Sequence, residues 1–394
     1  MKRIACLLVF ALGCATRQQP EPPPAVDTQT REMIKTLTGA IERQPANLPY
    51  IYLLASYHDK AGETGEVVRW LARLDELGWE HGVSALAFKN SSGSAFRNVA
   101  AKLASREPAV SRATTAFTMR DQRDLVPEGI VWDPVDDVFY VSGIHARKVL
   151  RVTPGGRATD FVTEDMLGGL GMKIDRPRRV LWVISTTTPE MRGYVKGEDA
   201  SQLAAYDLRT GVLLRKIDAA PAMLNDLTIL LDGTIFATDM GRHKVVRLAR
   251  GSDTLEEWAD GFSFPNGITN DGTNLYVADF QGIHQINLAN ETRTAVDVAG
   301  TWLGGIDGLD FREGTLIGIQ NAVGNPRVVR VHLGDRRVEV LESKNELFEL
   351  PTTGAIRNSE YWFIANPGLR SFDEDGTIWP ESKLQEPVML KIPL

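Results

Sequence analysis

The chain has 394 residues, 43% hydrophobic and 24% charged, which reads as globular, soluble and long enough for two folded units. A formal net charge of −7 excludes the strongly basic face with which a nucleic-acid binder neutralises phosphates, and it tolerates a bound cation. Both cysteines, Cys6 and Cys14, lie at the start, so the rest of the chain can form neither an intrachain disulfide nor a thiolate zinc site.

The first residues have the pattern of a targeting segment. Lys2 and Arg3 precede an apolar run, Ile4 to Leu12, that is too short to span a bilayer. Ala11-Leu12-Gly13-Cys14 resembles a bacterial lipobox, with Ala11 where Leu is usual. The expectation is a signal peptide over 1–13, lipidation at Cys14, and an extended tether over 14–27 that carries Pro20, Pro22, Pro23 and Pro24. Ala15 rather than Asp follows the cysteine. By analogy with such signals, this implies an outer-membrane anchor facing the periplasm. A plain secretory signal is the alternative. With lipidation at Cys14, membrane contact is through the lipid anchor only.

From 28 to 110 the apolar pattern is helical. Met33, Ile34, Leu37 and Ile41 fall on one face. Pro45 ends that helix, Asn47 can cap the next and Gly62 can stop it. Thr64 can cap a third, whose inward residues are Val67, Val68, Leu71 and Leu74. The pair from Pro49 to Leu77 resembles one tetratricopeptide-type hairpin. One repeat is too few for a solenoid, so this small all-α domain is either a cap packed on the next domain or a groove for a protein partner.

After Phe117 short β-rich runs recur with turns between them. Six copies begin at Glu128-Gly129, Leu170-Gly171, Asn225-Asp226, Asn266-Gly267, Asp307-Gly308 and Thr353-Gly354, and each leads into a strand of bulky residues. The steps between the second residues are 42, 55, 41, 41 and 46. That period is one four-stranded blade. The expected fold of 111–394 is an all-β six-bladed β-propeller, with a strand near Thr115 to Met119 closing the last blade. A β-sandwich would leave six spaced copies unexplained.

The first position of each copy should meet the others at one mouth of the central channel. Glu128, Asn225, Asn266 and Asp307 there make an oxygen-rich ring of two carboxylates and two carboxamides. This is the donor set of a hard divalent cation such as Ca2+. Taken singly, Asn or Asp before Gly is also an ordinary turn former.

The copies Pro127-Glu128-Gly129, Asn225-Asp226, Pro265-Asn266-Gly267 and Ile306-Asp307-Gly308 resemble the motifs of the SMP-30/gluconolactonase-like propellers, and more distantly those of paraoxonases and strictosidine synthase-like proteins. The resemblance implies a divalent metal, expected to be Ca2+, on Glu128, Asn266 and Asp307, with Asn225 beside it or bound to it. It also implies hydrolysis of lactones or esters, with Asp307 and Glu128 as catalytic carboxylates and Asn225 toward the substrate. Two features depart from the family. Met223 stands where the sugar-lactone enzymes carry arginine, and Leu170-Gly171-Met172 stands where the paraoxonase-like enzymes carry histidine.

Other candidates are individually weak. His145 and His284 are potential general bases, although turn or surface roles are the commoner use. Arg147 and Lys148 could meet an anion or simply form a solvated strand edge. Arg192, in the long loop Thr186 to Ser201, could reach over the mouth to a substrate. Phosphate loops, nucleotide fingerprints and nucleophile elbows are absent from the sequence. Two readings remain: a metal-dependent lactone or ester hydrolase of the cell envelope, and a non-catalytic envelope lipoprotein that binds a partner and keeps the ion as a structural tie.

Overall fold

A computed structural model describes residues 26–84, 87–219, 221–298, 301–373 and 376–394. The signal peptide, Cys14 and most of the tether lie outside these.

Helix α1 spans Thr28–Arg43, α2 Leu48–Lys60 and α3 Thr64–Glu76. The side chain of Asp27 accepts the Thr30 N–H at 2.8 Å, and that of Asn47 accepts the Tyr50 N–H at 3.1 Å, so both helix starts have a capped donor. Thr64, expected to cap α3, is instead its first helical residue. Glu63 holds the cap position without a side-chain bond. Gly62 and Gly78 follow α2 and α3 with φ of 73° and 83°, a left-handed conformation that glycine adopts without steric cost. The sequence pattern did not reveal α4, Ser94–Arg106, which buries only Leu103.

The remainder is six four-stranded antiparallel sheets. Strand β1 is Thr114–Thr118. Blade one holds β2 (Pro127–Asp133), β3 (Val138–Gly143), β4 (Lys148–Val152) and β5 (Ala158–Val162). Blade two holds β6 (Gly168–Asp175), β7 (Val180–Thr186), β8 (Ser201–Asp207) and β9 (Leu213–Asp218). Blade three holds β10 (Leu224–Ile229), β11 (Ile235–Asp239), β12 (Lys244–Leu248) and β13 (Glu256–Ala259). Blade four holds β14 (Ile268–Asn270), β15 (Asn274–Ala278), β16 (Ile283–Asn287) and β17 (Arg293–Ala295). Blade five holds β18 (Ile306–Arg312), β19 (Thr315–Gln320), β20 (Arg327–His332) and β21 (Arg337–Ser343). Blade six holds β22 (Gly354–Arg357), β23 (Glu360–Ile364) and β24 (Val388–Pro393), and β1 completes it by pairing with β24. The inner strands β2, β6, β10, β14, β18 and β22 pack one on the next and close the ring.

Apolar side chains fill the gaps between blades. At the ring's closure Phe117 of β1 lies 6.3 Å from Phe139 and 6.2 Å from Trp362, in a cluster with Met119, Leu150 and Met389. The helical domain docks on blades four and five. Trp79 lies 5.6 Å from Trp302, Tyr50 lies 6.5 Å from Phe280, and Val323 joins the helical core. Residues after α4 then run along β21, where the Ser343 N–H donates to the Val110 carbonyl at 2.9 Å.

Truncating Phe117 removes a buried ring from the only sheet whose strands come from both ends of the propeller sequence. Phe117→Ala should lower stability by about 3–5 kcal/mol in urea unfolding. A loss below about 1 kcal/mol would show that β1 does not close the ring.

Candidate functional site

A repeated irregularity creates the site. In β2, β10 and β18 the ladder slips between Pro127 and Ile130, Leu224 and Leu227, and Ile306 and Leu309. Each slip leaves a pair of residues outside the register: Glu128-Gly129, Asn225-Asp226 and Asp307-Gly308. A bulge of this kind re-aims side chains. In β6 the same slip falls at Leu170-Gly171, where the side chain is apolar. Asn266 lies two residues before β14, with its N–H donating to Ala278 O at 2.9 Å.

The glycines after these residues do not serve as turn formers, since none of Gly129, Gly171, Gly267 and Gly308 has positive φ. They allow the next blade to approach. A Cβ on Gly129 would meet Leu170 O at 2.3 Å, one on Gly267 would meet Asp307 O at 2.4 Å, and one on Gly308 would meet Thr353 Cα at 2.7 Å. In blade three the position is Asp226, whose carboxylate accepts the N–H of Leu227 at 2.8 Å and of Ile268, in the next blade, at 3.3 Å.

Buried hydroxyls stitch neighbouring blades at the same level. Ser142 accepts the Gly129 N–H at 2.8 Å and donates to Leu170 O at 2.6 Å. Thr238 accepts the Asp226 N–H at 3.0 Å and donates to Asn266 O at 2.8 Å. Thr352 donates to Glu128 O at 3.0 Å, and Thr353 to the same atom. The sequence repeats marked Thr353 as the first position of the sixth copy but did not single out Ser142, Thr238 or Thr352. Asn321 was also missed. Its amide donates to Asp307 Oδ2 at 2.6 Å and to Pro351 O at 2.9 Å, fixing the aspartate.

Strain marks the ring as well. Val126 and Phe264, each just before the proline that precedes a ring residue, have φ of 49° and 54°. A β-branched or bulky residue rarely adopts that conformation. It persists only where the surroundings enforce it, and it clusters at functional sites.

Glu128 and Asn225 are buried, while Asn266 and Asp307 are half-exposed. Glu128 Oε2, Asn225 Oδ1 and Asn266 Oδ1 are buried acceptors without a hydrogen-bond partner. Burial raises the Glu128 carboxyl well above its ordinary range, and the charges of Asp307 and Asp226 push it further. Burial raises Asp307 to about 7, against hydrogen bonds from Asn321 and Asn266 that pull it down. Burial likewise raises Asp226 to about 6, opposed by Lys173. Among the described residues no three His, Cys, Asp or Glu side chains come together as a metal cluster. The ring's candidate donors are two carboxylates and two carboxamides.

Deeper in the channel the charge is balanced. The Lys173 ammonium pairs with Asp310 at 3.4 Å, beside Asp226 and below Glu128. A cavity of about 490 Å³ opens at that far end, lined by Lys173, Asp310, Trp132 and Phe311 among others.

The remaining candidates are occupied by local contacts. Arg192 donates to the Asp124 carboxylate at 2.5 Å. His145 Nδ1 sits 2.8 Å from Glu190 O, with its ring 5.7 Å from Phe372. His284 Nε2 is 2.9 Å from Asp279 Oδ2, and that carboxylate group also accepts the N–H groups of Ser263, Gln281 and Gly282. His284 therefore buttresses a turn. Arg147 Nε donates to Met166 O at 3.0 Å, and Lys148 pairs with Asp160 at 2.9 Å.

The mouth is partly covered. The connection from β23 to β24 places Leu369, Phe372 and Ile378 against a cluster containing Val126, Ile144, Met191 and Leu224. The helical domain stands over Phe280, Trp302 and Val323.

Six closed blades with an oxygen-lined ring at one mouth define a six-bladed β-propeller. Residues 126–300 match the family described as the SMP-30/Gluconolactonase/LRE-like region. The matched stretch contains Glu128, Asn225 and Asn266 and ends before Asp307. No curated protein matches the sequence. Similar solved structures include a gluconolactonase from Xanthomonas campestris, 16% identical with a TM-score of 0.48, over 73% of this chain and 98% of that one. The luciferin-regenerating enzyme is 13% identical with a TM-score of 0.49, over 68% and 92%. Virginiamycin B lyase from Staphylococcus aureus is 15% identical with a TM-score of 0.45, over 64% and 80%.

With no cation bound, the folded state holds protons on Asp226 and Asp307 that the unfolded chain, at the usual carboxyl value of 3.8, has released. Stability then falls as pH rises from about 4 through about 7. In a chelator, the protein should melt at a lower temperature at pH 8 than at pH 5. Asp307→Asn should flatten that slope. A melting temperature that climbs from pH 5 to pH 8 in the chelator would contradict this charge arrangement.

Proposed function

We propose that the propeller is a divalent-cation-dependent hydrolase of lactones or esters, with Ca2+ the expected ion, held by Glu128, Asn225, Asn266 and Asp307. The observation that carries this reading is the set of three unpartnered buried oxygens, on Glu128, Asn225 and Asn266, beside an Asp307 that burial disfavours as an anion. An unpaired buried acceptor is costly, and oxygen donors around two carboxylates suit a hard cation. When bound, such an ion polarises a substrate carbonyl.

The chain's own groups supply the rest. Asn321 holds Asp307 in one orientation. Asp307, the more exposed carboxylate of the two, takes a proton from the attacking water as the new C–O bond forms. That proton passes to the alkoxide as the ring or ester C–O bond breaks. Glu128, deeper in the channel, supplies charge and position.

A second reading keeps the ion as a tie between blades and assigns the helical face to a partner. The cover over the mouth by the helical domain and the β23–β24 connection favours it. In both readings we place the protein in the cell envelope, anchored through Cys14. Cys14→Ser should then abolish lipid labelling and release the protein from the membrane fraction.

Ca2+ should raise the melting temperature by mass action, and a chelator should reverse it. Asp307→Ala should remove that response together with lactone or ester turnover, and Asn225→Ala should weaken it less, because it removes a dipole rather than a charge. Calorimetry showing that no divalent cation binds the wild-type protein would overturn both the centre and the hydrolase.

A further inference from the structure

The repeat builds a second level of the channel. Three places after the first positions of the six copies stand Val131, Lys173, Thr228, Thr269, Asp310 and Ile356. One comes from each inner strand, and all six line the cavity of about 490 Å³ at the far end. That volume suits a small ligand. Among the described residues, none of the helical domain or of the β23–β24 connection lines it. The six divide by chemistry. Lys173, Thr228, Thr269 and Asp310, on consecutive blades two to five, are polar. Ile356 and Val131, on blades six and one, are apolar, and Trp132 joins them in the lining.

In the polar sector donors outnumber acceptors. The Lys173 ammonium carries three N–H groups, and its one hydrogen-bond partner among the described residues is Asp310, at 3.4 Å. Burial opposes that charge, but Asp310, Asp226 and Glu128 outweigh it and raise the lysine's affinity for its proton. Thr228 accepts the Asn270 amide N–H at 2.6 Å, which leaves its own O–H to donate. The Thr269 hydroxyl has no partner among the described residues. Both threonines are deep, 4% and 7% exposed, and a buried donor without an acceptor is costly. Asp310, the carboxylate at this level, is already taken up by Lys173. At the rim Glu313 lies 3.5 Å from the Arg312 guanidinium, and Arg176 is exposed with no carboxylate partner among the described residues. The charged lining is thus three cations, Lys173, Arg176 and Arg312, against the carboxylates of Asp310 and Glu313.

We propose that this cavity binds a small organic carboxylate with an apolar tail. The carboxylate accepts hydrogen bonds from Lys173, Thr228 and Thr269, and the tail lies along Val131, Ile356 and Trp132. The site is separate from the oxygen ring and does not depend on the hydrolase reading. The test titrates the full-length protein by calorimetry with hexanoate, hexanamide and acetate, each with and without Ca2+. Hexanoate should bind about tenfold more tightly than hexanamide, which lacks the charge, and than acetate, which lacks the tail. Thr269→Val keeps the shape and removes the donor, and it should weaken hexanoate about tenfold. Arg176→Ala, at the exposed rim, should weaken it less. Asp307→Ala, at the other level of the channel, should leave the affinity unchanged. No binding of hexanoate, equal binding of hexanamide or acetate, or an unchanged affinity in Thr269→Val overturns the proposal. Binding that requires Ca2+ or Asp307 also overturns it, because the carboxylate would then sit on the ring.

Discussion

Two carboxylates, Glu128 and Asp307, converge on one end of a narrow channel with no cationic side chain between them, and the rest of the structure is arranged around that repulsion. Each is brought there by a bulge in its inner strand. The bulges are possible because the following glycines let adjacent blades come within contact of the backbone. A side chain at Gly129 or Gly308 would push two blades apart and carry the carboxylates away from the axis. Charge convergence and blade packing are thus one constraint, expressed at residues adjacent in sequence.

Halfway down the channel the same difficulty is met differently. Asp226 and Asp310 also face inward, yet Lys173 supplies an ammonium between them. That cation is covalent to the fold and always present. Its absence from the upper ring leaves the oxygens of Glu128, Asn225 and Asn266 unpartnered. One channel therefore contains a level where an ammonium pairs with the carboxylates and a level where burial instead raises the carboxyls of Glu128 and Asp307.

The propeller was legible in the sequence because each blade repeats one strand grammar at a period near 42, and the ring because its members share a position in that grammar. Closure by β1 was legible from the incomplete first copy. Three things were not. The hydroxyls of Ser142 and Thr238 sit on middle strands, where Ser and Thr are common and nothing in the spacing marks the cross-blade bonds. Asn321 acts through Asp307 from the following strand's end, without a repeat of its own. Helix α4 buries a single leucine, so its apolar period is too weak to see. The glycines were visible in the repeat, but the close approach that requires them was not. Turn formation accounts for Asn-Gly in isolation, whereas here close approach selects the glycine.

Strain and cover meet at the same place. Val126 and Phe264 occupy equivalent positions before proline, with nearly the same backbone strain, yet they have opposite fates. Val126 is fully buried under the connection from blade six, packed with Leu369 and Phe372. Its strain is repaid by burial inside the protein itself. Phe264 is more exposed, at 57%, with its ring set edge-on to His243 at 4.7 Å. The more exposed copy stands next to Asn266, one of the two half-buried members of the ring, whereas the covered copy stands next to the buried Glu128.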